Sequence, residues 1–286
     1  MESPVLPPRS IVGIAEQLTP RLRTRSDQNP NDIYVGSVLL PGHQQRARAY
    51  VKVFPAADRG QLVYNEVIGH YLAQQCGLPS PFTFPCACRT SLLRKSMQLP
   101  IGSDQRTQFV LGVASVDGGY SEVKQTASGF GARWADVMNW HQVGLVAVFD
   151  ELMGNDDRHI ENLIRRGPHD YVLIDSERIL FGERWFDFDL SSLRTRRCDA
   201  NILADAIADG TDELMRRRMI EIAQRIMRVT LLSVPEISES MEQLCKAPRY
   251  TTARLIEMLN SRRNILPSLM QWHLEKGDLF HASSRR

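Results

Sequence analysis

The pattern of apolar and polar residues divides the chain into a strand-rich first part and a helical second part. Four short segments rich in β-branched and aromatic residues predict strands at 33–40, 47–54, 82–84 and 108–113. Between the second and third of them, apolar residues recur at i, i+4 spacing, which predicts a helix over 61–76. Gly77 then supplies a helix stop. The order of these elements is strand, strand, helix, strand, strand.

Helical periodicity dominates the rest of the chain. It predicts helices over 136–153, over 202–232 with a break at Gly210, from Pro235 onward, and over 252–269 with Pro267 near the end. The fold class expected is therefore α+β, with two lobes. We expect a loose N-terminal arm at 1–10, a small lobe at 11–115 and a larger helical lobe at 116–286.

Composition narrows the class of protein without naming a function. The 286 residues are 43% hydrophobic and 24% charged, as in ordinary globular proteins. A net charge of +2 requires neither a nucleic-acid nor a membrane partner, and no DNA-binding motif is evident. The apolar run Val143 to Phe149 is too short to span a bilayer. Five cysteines without framework spacing, and a start that lacks signal-peptide features, predict a reduced, cytoplasmic chain.

Three polar residues near the middle of the chain have the spacing of a kinase active site. Asp157 and Asn162 are five positions apart, and Asp175 follows a short apolar run thirteen positions later. In a kinase, one carboxylate faces the acceptor hydroxyl, while an amide and a second carboxylate hold magnesium. We therefore expect Asp157 to be catalytic and Asn162 and Asp175 to be metal ligands. The alternative is a polar loop in which Asp156 and Asp157 only cap a turn.

Two charged residues upstream fit the same chemistry. Lys52 lies inside an apolar strand, where it would hold the α and β phosphates of ATP, and Glu66 on the next helix would be its ion-pair partner. The alternatives are an edge-strand lysine and an exposed helical glutamate. The chain has neither a P-loop nor a Rossmann motif, and residues 26–31 are the candidate nucleotide lid.

With these motifs the chain resembles the HipA-like kinases, a branch related to the phosphoinositide-kinase fold. The resemblance covers roughly residues 45–190 and is carried by Tyr50-Val51-Lys52, Asn65-Glu66, Gly77-Leu78-Pro79, Phe149-Asp150, Asn155, Asp157-Arg158, Asn162 and Ile174-Asp175. It implies a two-lobed kinase-like fold, in which residues 11–115 form the small nucleotide-binding lobe and residues 116–286 the helical catalytic lobe. It also implies ATP and magnesium as cofactors and a protein serine or threonine as acceptor. Arg158 is expected to support Asp157 or to pair with another carboxylate.

Departures from the family pattern keep other activities open. Ser176 and Glu177 follow Asp175, where the family often has a glycine. The motif Ile174-Asp175-Ser176-Glu177 also resembles a motif of the aminoglycoside and choline kinases, although those kinases usually have His-Gly before the catalytic aspartate. The alternatives are a small-molecule or lipid phosphotransferase and a catalytically silent kinase-like binding module. The presence of the full residue set argues against the silent module.

The segment from Phe181 to Asp199 takes the place of an activation segment after Asp175. It places Ser191, Ser192 and Thr195 beside three arginines, an arrangement suited to ordering by phosphate. We hypothesise that the enzyme phosphorylates at least one of these hydroxyls in itself. An exposed basic loop with incidental hydroxyls is the alternative.

Overall fold

The protein has a mixed α+β fold, as expected. The computed structural model describes residues 11–20, 32–54, 59–93, 109–118, 130–182, 184–187, 189–210, 212–228 and 235–284. The expected N-terminal arm at 1–10 and the candidate lid at 26–31 lie outside the described residues.

Five strands close into a barrel in the order β1-β2-β3-β5-β4. They are β1 (Gly13–Pro20), β2 (Asp32–Leu39), β3 (Arg46–Val53), β4 (Thr83–Arg89) and β5 (Phe109–Val116). A parallel pairing of β1 with β4 closes the barrel, and the other pairs are antiparallel. All four strands predicted from the sequence are present, and β4 and β5 are longer than expected.

The interior of the barrel is filled by alternate residues of each strand. On β3, Ala49, Val51 and Val53 are fully buried, whereas Tyr50 and Lys52 on the opposite face are half-buried. This alternation follows from the two-residue period of a strand. The buried cluster contains Ala15, Tyr34, Val38, Ala49, Val51, Val53, Phe84, Cys86, Cys88, Leu93, Val110 and Ala114. Cys86 and Cys88 are thus core residues, and both are free thiols.

The helices are α1 (Arg59–Gln75), α2 (Phe130–Met138), α3 (Val143–Met153), α4 (Ile202–Asp209), α5 (Glu213–Met227), α6 (Pro235–Cys245) and α7 (Thr251–Ser284). The predicted stop of α1 at Gly77 is confirmed by its left-handed φ of 77°. The predicted break at Gly210 is also confirmed. Asp212 then caps α5, because its side chain accepts a hydrogen bond from the Met215 amide at 3.1 Å. No helix in the described part of the chain has the length and apolarity needed to cross a membrane.

The prediction of one helix over 136–153 is wrong, because the chain turns between α2 and α3. Trp140 lies in this turn and is fully buried. Its ring packs against Tyr171, with the ring centroids 5.6 Å apart. A burial of this size outweighs the few hydrogen bonds that a continuous helix would add.

The prediction that the last helix ends near residue 269 is also wrong. Helix α7 continues through Pro267 to Ser284. Proline removes one helical hydrogen bond and disturbs the preceding turn. The residues beyond it compensate, since Met270, His273 and Leu274 are all buried.

A small hairpin of β6 (Leu163–Gly167) and β7 (Asp170–Leu173) follows α3. Contacts divide the chain into two compact units. The first comprises Met1–Ile68, Pro81–Gly119 and Val234–Tyr250, as far as these residues are described, and contains the barrel and α6. The second comprises Gly69–Ser80, Tyr120–Ser233 and Thr251–Arg286, and contains the hairpin and the remaining helices after α1.

Candidate functional site

The candidate catalytic loop begins where α3 ends. Gly154 terminates the helix with a left-handed φ of 59°. A Cβ at this position would lie 2.7 Å from the ring of Phe181, so the site requires glycine for its space as well as its conformation. The chain then runs through residues 155–159 into a short 3₁₀ helix, Ile160–Asn162, and from there into β6.

A buried ion pair holds this loop in place. Arg158 Nε lies 3.1 Å from Asp150 Oδ2, and both side chains are almost completely buried, at 1% and 0% exposure. Asn155 Nδ2 also donates to Asp150 Oδ1 at 3.1 Å. Burial raises the pKa of Asp150, because it disfavours the charged carboxylate, and the hydrogen bonds from Arg158 and Asn155 oppose that rise. The sequence expectation that Arg158 pairs with another carboxylate is confirmed.

Arg158 also connects the loop to the end of the hairpin. Its Nη1 donates to the carbonyl oxygen of Ile174 at 2.7 Å. The Ile174 amide in turn donates to the carbonyl oxygen of Asn162 at 3.0 Å. The residue before Asp175 is therefore fixed to the residue that ends the loop.

The three residues expected from the kinase spacing lie on this frame. Asn162 Nδ2 donates to the Asp157 carbonyl oxygen at 2.9 Å, which fixes the five-residue spacing. The Asp157 amide donates to Asn155 Oδ1 at 3.3 Å, and the Asp157 side chain remains 36% exposed. Asp175 follows directly after Ile174 in a left-handed conformation with φ 63°. Asp157 and Asn162 are thus joined directly, and Asp175 follows Ile174, which is hydrogen-bonded to Asn162.

The side-chain oxygens of Asn162 and Asp175 are of the chemical type that magnesium prefers. Because the Asn162 amide nitrogen is used by Asp157, its Oδ1 points away from that contact, and Asp175 adds a carboxylate. Asp156 Oδ1 is a buried oxygen that lacks a hydrogen-bond partner in the described part of the chain. The described residues contain no group of three His, Cys, Asp or Glu side chains placed to hold a metal. Magnesium usually takes one or two carboxylates together with phosphate oxygens and water, so such a group is not needed.

Lys52 and Glu66 both belong to the first unit. Strand β3 pairs on both sides, with Ile33 and Val113 opposite Lys52, so the alternative of an edge-strand lysine does not hold. The Lys52 ammonium lies 5.3 Å from the centroid of the Phe54 ring. Glu66 is only 4% exposed, which excludes the alternative of an ordinary exposed glutamate. A carboxylate buried on α1 is stable only with polar partners.

Arg178 is a site residue that the sequence reasoning missed. Its Nη1 lies 3.7 Å from Asp157 Oδ1, and the arginine side chain is 51% exposed. The available signal was a basic residue three positions beyond Asp175. That spacing has no fixed meaning, because only the turn that follows decides where the side chain points.

A second buried network adjoins the first through Glu151, which the sequence reasoning also missed. Glu151 contacts Arg262 at 3.2 Å and His273 at 3.1 Å, and all three side chains have 0% exposure. His273 Nδ1 lies 2.8 Å from Asp205, and Lys276 lies 3.1 Å from the other oxygen of that aspartate. The network ties α7 to the end of α3.

The hydrogen bonds of this network shift the pKa values of His273 and Asp205. Burial disfavours the charged form of His273, but the hydrogen bonds to Asp205 and Glu151 outweigh it and raise the pKa of His273. For Asp205 burial acts to raise the pKa, yet the hydrogen bonds from His273 and Lys276 dominate and lower it.

We expect Asp150→Asn to lower the free energy of unfolding by about 3–5 kcal/mol, because it leaves Arg158 buried without a counter-charge. The double variant Asp150→Leu/Arg158→Met should cost much less than the sum of Asp150→Leu and Arg158→Met, each measured alone. Urea denaturation of the four proteins gives the coupling. The exposed pair Arg166–Asp170 provides a matched control, and Asp170→Asn should cost less than about 1 kcal/mol. Additive losses at Asp150 and Arg158 would show that the two do not act as a pair.

His273 should make stability depend on pH. Because its pKa is raised in the folded state, its contribution is fully present below the unfolded value of 6.5 and is lost as pH rises through the folded pKa. The stability difference between the wild-type protein and His273→Gln should therefore be largest near pH 5–6 and shrink toward pH 9. Urea denaturation across this range measures it. His43→Gln, at an exposed turn, controls for the loss of an imidazole. A stability difference between wild type and His273→Gln that grows with pH would contradict the raised pKa of His273.

The likeness of the chain to known proteins is distant and lies in structure. No protein-family model matches the chain. No curated protein shows significant sequence similarity to it. Among solved structures, the chain is similar to the crystal structure of a Helicobacter pylori proinflammatory kinase, CtkA, with a TM-score of 0.43 and 12% identity over 91% of this chain and 96% of that one. At this level the match assigns neither a family nor an activity to the chain.

Proposed function

We propose that the protein is an ATP- and magnesium-dependent kinase of the HipA-like type that transfers the γ-phosphate of ATP to a hydroxyl group. The supporting observation is the single buried frame, built on Asp150 and Arg158, that holds Asp157, Asn162 and Asp175. Phosphoryl transfer depends mainly on positioning and charge stabilisation, and a rigid frame of this kind supplies the positioning.

Each residue of the frame has one task in this proposal. Asp157, which remains partly exposed, orients the acceptor hydroxyl and takes its proton. Asn162 and Asp175 would hold magnesium through their oxygens. The bound ion would neutralise charge on the phosphates.

The remaining assignments extend the same proposal. The first unit would serve as the small nucleotide-binding lobe and the second as the catalytic lobe. Lys52, oriented by Glu66, would bind the α and β phosphates of ATP. Because the reaction consumes ATP, we place it in the cytoplasm.

The segment from Phe181 to Asp199 favours a protein acceptor. Ser191, Ser192 and Thr195 are all exposed. Ser191 Oγ donates to Asp189 at 2.6 Å, whereas Thr195 stands between the exposed Arg194 and Arg196. A phosphate on Thr195 would add roughly −1.5 to −2 charge between two arginines in the sequence, which could pair with it.

Asp157→Asn should abolish phosphoryl transfer while leaving the fold intact, since the change keeps the shape of the side chain and removes its basic oxygen. We expect a loss of about 10²-fold or more. Transfer from labelled ATP is measured, with products separated into protein, lipid and small-molecule fractions. Mass spectrometry of the wild-type protein, with Asp157→Asn as control, then locates phosphate on residues 181–199.

The outcomes separate the candidate functions. Phosphate on protein supports the proposal. Rapid phosphorylation of an aminoglycoside, choline or a lipid, without phosphate on protein, would move the function to a small-molecule or lipid phosphotransferase. Nucleotide binding without transfer to any fraction would identify a silent binding module.

Asn162→Ala and Asp175→Ala should each weaken binding of magnesium with a non-hydrolysable ATP analogue, because each removes an oxygen ligand. Asp175→Ala should have the larger effect, at least about tenfold in Kd, since it also removes a charge. Calorimetric titration measures both variants. Glu161→Ala, an exposed position on the same 3₁₀ helix, is the control. Wild-type affinity in both site variants would place the metal elsewhere.

A further inference from the structure

Arg158 lies in the loop at residues 155–162 and Arg178 contacts it, but only Arg178 is exposed enough to contact a bound molecule. The Arg158 guanidinium is buried and directs its nitrogens at Asp150 and at the carbonyl oxygens of Ile174 and Asn162. Its charge is used within the protein. The Arg178 side chain is half exposed and meets the loop at the Asp157 carboxylate, at 3.7 Å. It can therefore also contact a bound molecule.

Arg178 is held by the turn that follows it. The Gly182 amide donates to the Arg178 carbonyl oxygen at 3.1 Å. A Cβ on Gly182 would lie 3.2 Å from Arg178 Nε and 3.3 Å from Nη2, so the guanidinium packs directly over this glycine. Gly182 itself has a left-handed φ of 66°. The position of the guanidinium thus depends on a glycine at 182.

The turn is conformationally costly and firmly anchored. Leu180 and Phe181 adopt left-handed φ values of 59° and 64°, which cost non-glycine residues on the order of 1–3 kcal/mol each. Their amides donate to the carbonyl oxygens of Met153 at 2.8 Å and Gly154 at 2.6 Å. Both side chains are buried. The turn is therefore fixed to the same end of α3 from which the loop with Asp157 begins.

We propose that Arg178 is a catalytic residue that stabilises the transferring phosphoryl group, an inference that rests on the proposed kinase function. The acceptor oxygen forms a bond to the γ-phosphorus, the bond from that phosphorus to the β,γ-bridging oxygen breaks, ADP leaves, and the hydroxyl proton passes to Asp157. During transfer, negative charge lies on the non-bridging oxygens of the phosphoryl group. Arg178 donates hydrogen bonds to these oxygens, beside the carboxylate that holds the acceptor.

The contact between Arg178 and Asp157 allows the guanidinium to leave the carboxylate and bind a phosphoryl group. At 3.7 Å and with both side chains partly exposed, the ion pair is weak and gives way at little cost when an anionic group arrives. The same guanidinium offsets the repulsion that a phosphoryl group would meet from the Asp157 carboxylate. An arginine has this advantage over a lysine because its planar fork matches two phosphate oxygens at once.

The test compares Arg178→Ala and Arg178→Lys with the wild-type protein in phosphoryl transfer, with kcat and KM for ATP measured separately. We expect Arg178→Ala to lower kcat by about 10²-fold with little change in KM, as for the loss of one donor to transition-state charge. Arg178→Lys should recover part of that loss, because it keeps the charge without the fork. Arg166→Ala is the matched control, since Arg166 is also a half-exposed arginine paired with an aspartate, at the far end of the β6–β7 hairpin.

The outcomes distinguish this inference from the proposed function. The wild-type protein could transfer phosphate while the kcat of Arg178→Ala stays within about twofold of the wild-type value. That result would overturn the role of Arg178 and leave the kinase proposal standing. A higher KM at unchanged kcat would overturn it too, because it would assign Arg178 to ground-state binding. A wild-type protein that transfers phosphate to no acceptor would instead reject the kinase function itself. Equal thermal unfolding of the variants confirms that the comparison reports chemistry.

Discussion

The buried ion pair between Asp150 and Arg158 is the interaction on which the candidate site depends. Two charges without contact with water are stable only when each meets a partner of opposite charge and the remaining hydrogen bonds are satisfied. Arg158 meets this requirement through Asp150 and two backbone carbonyls, and those carbonyls belong to Asn162 and Ile174. Satisfying one arginine therefore fixes the backbone at two separate points of the site.

Helix α3 serves two networks because its last turn contains two consecutive acidic residues. Neighbouring residues on an α-helix point about 100° apart, as follows from its 3.6 residues per turn. Asp150 thus faces the loop, while Glu151 faces Arg262 and His273 on α7. Arg262 also donates to the carbonyl oxygens of Leu193 and Arg196, both at 2.6 Å. The loop and the segment that follows the site are consequently held by the same end of one helix.

Left-handed backbone is concentrated where these networks meet. Gly154, Asp175, Leu180, Phe181 and Gly182 all have positive φ. Such conformations persist only where the surrounding structure imposes them. Here the imposed contacts include the Phe181 ring over Gly154 and the Arg178 guanidinium over Gly182. Arg178 lies directly before this turn, and its guanidinium is 3.7 Å from the Asp157 carboxylate.

The sequence by itself determined the features that depend on neighbouring residues. Four of the five strands of the barrel, the stop of α1 at Gly77 and the break at Gly210 could be predicted from local periodicity and from the conformational freedom of glycine. The spacing of Asp157, Asn162 and Asp175 was visible for the same reason, since a loop and a hairpin keep the three residues within a short stretch of chain.

Tertiary structure decided the features that depend on residues far apart in the chain. The turn at Trp140 exists because Tyr171 lies against the indole, and α7 continues past Pro267 because its later residues are buried. The side-chain partners of Glu151, Arg262 and His273, are 111 and 122 positions away, so no local pattern could reveal them. The turn that follows Arg178 holds Leu180 and Phe181 in left-handed conformations, which their side chains disfavour. Hydrogen bonds from these two residues to the end of α3 hold the turn, and with it the position from which Arg178 contacts Asp157.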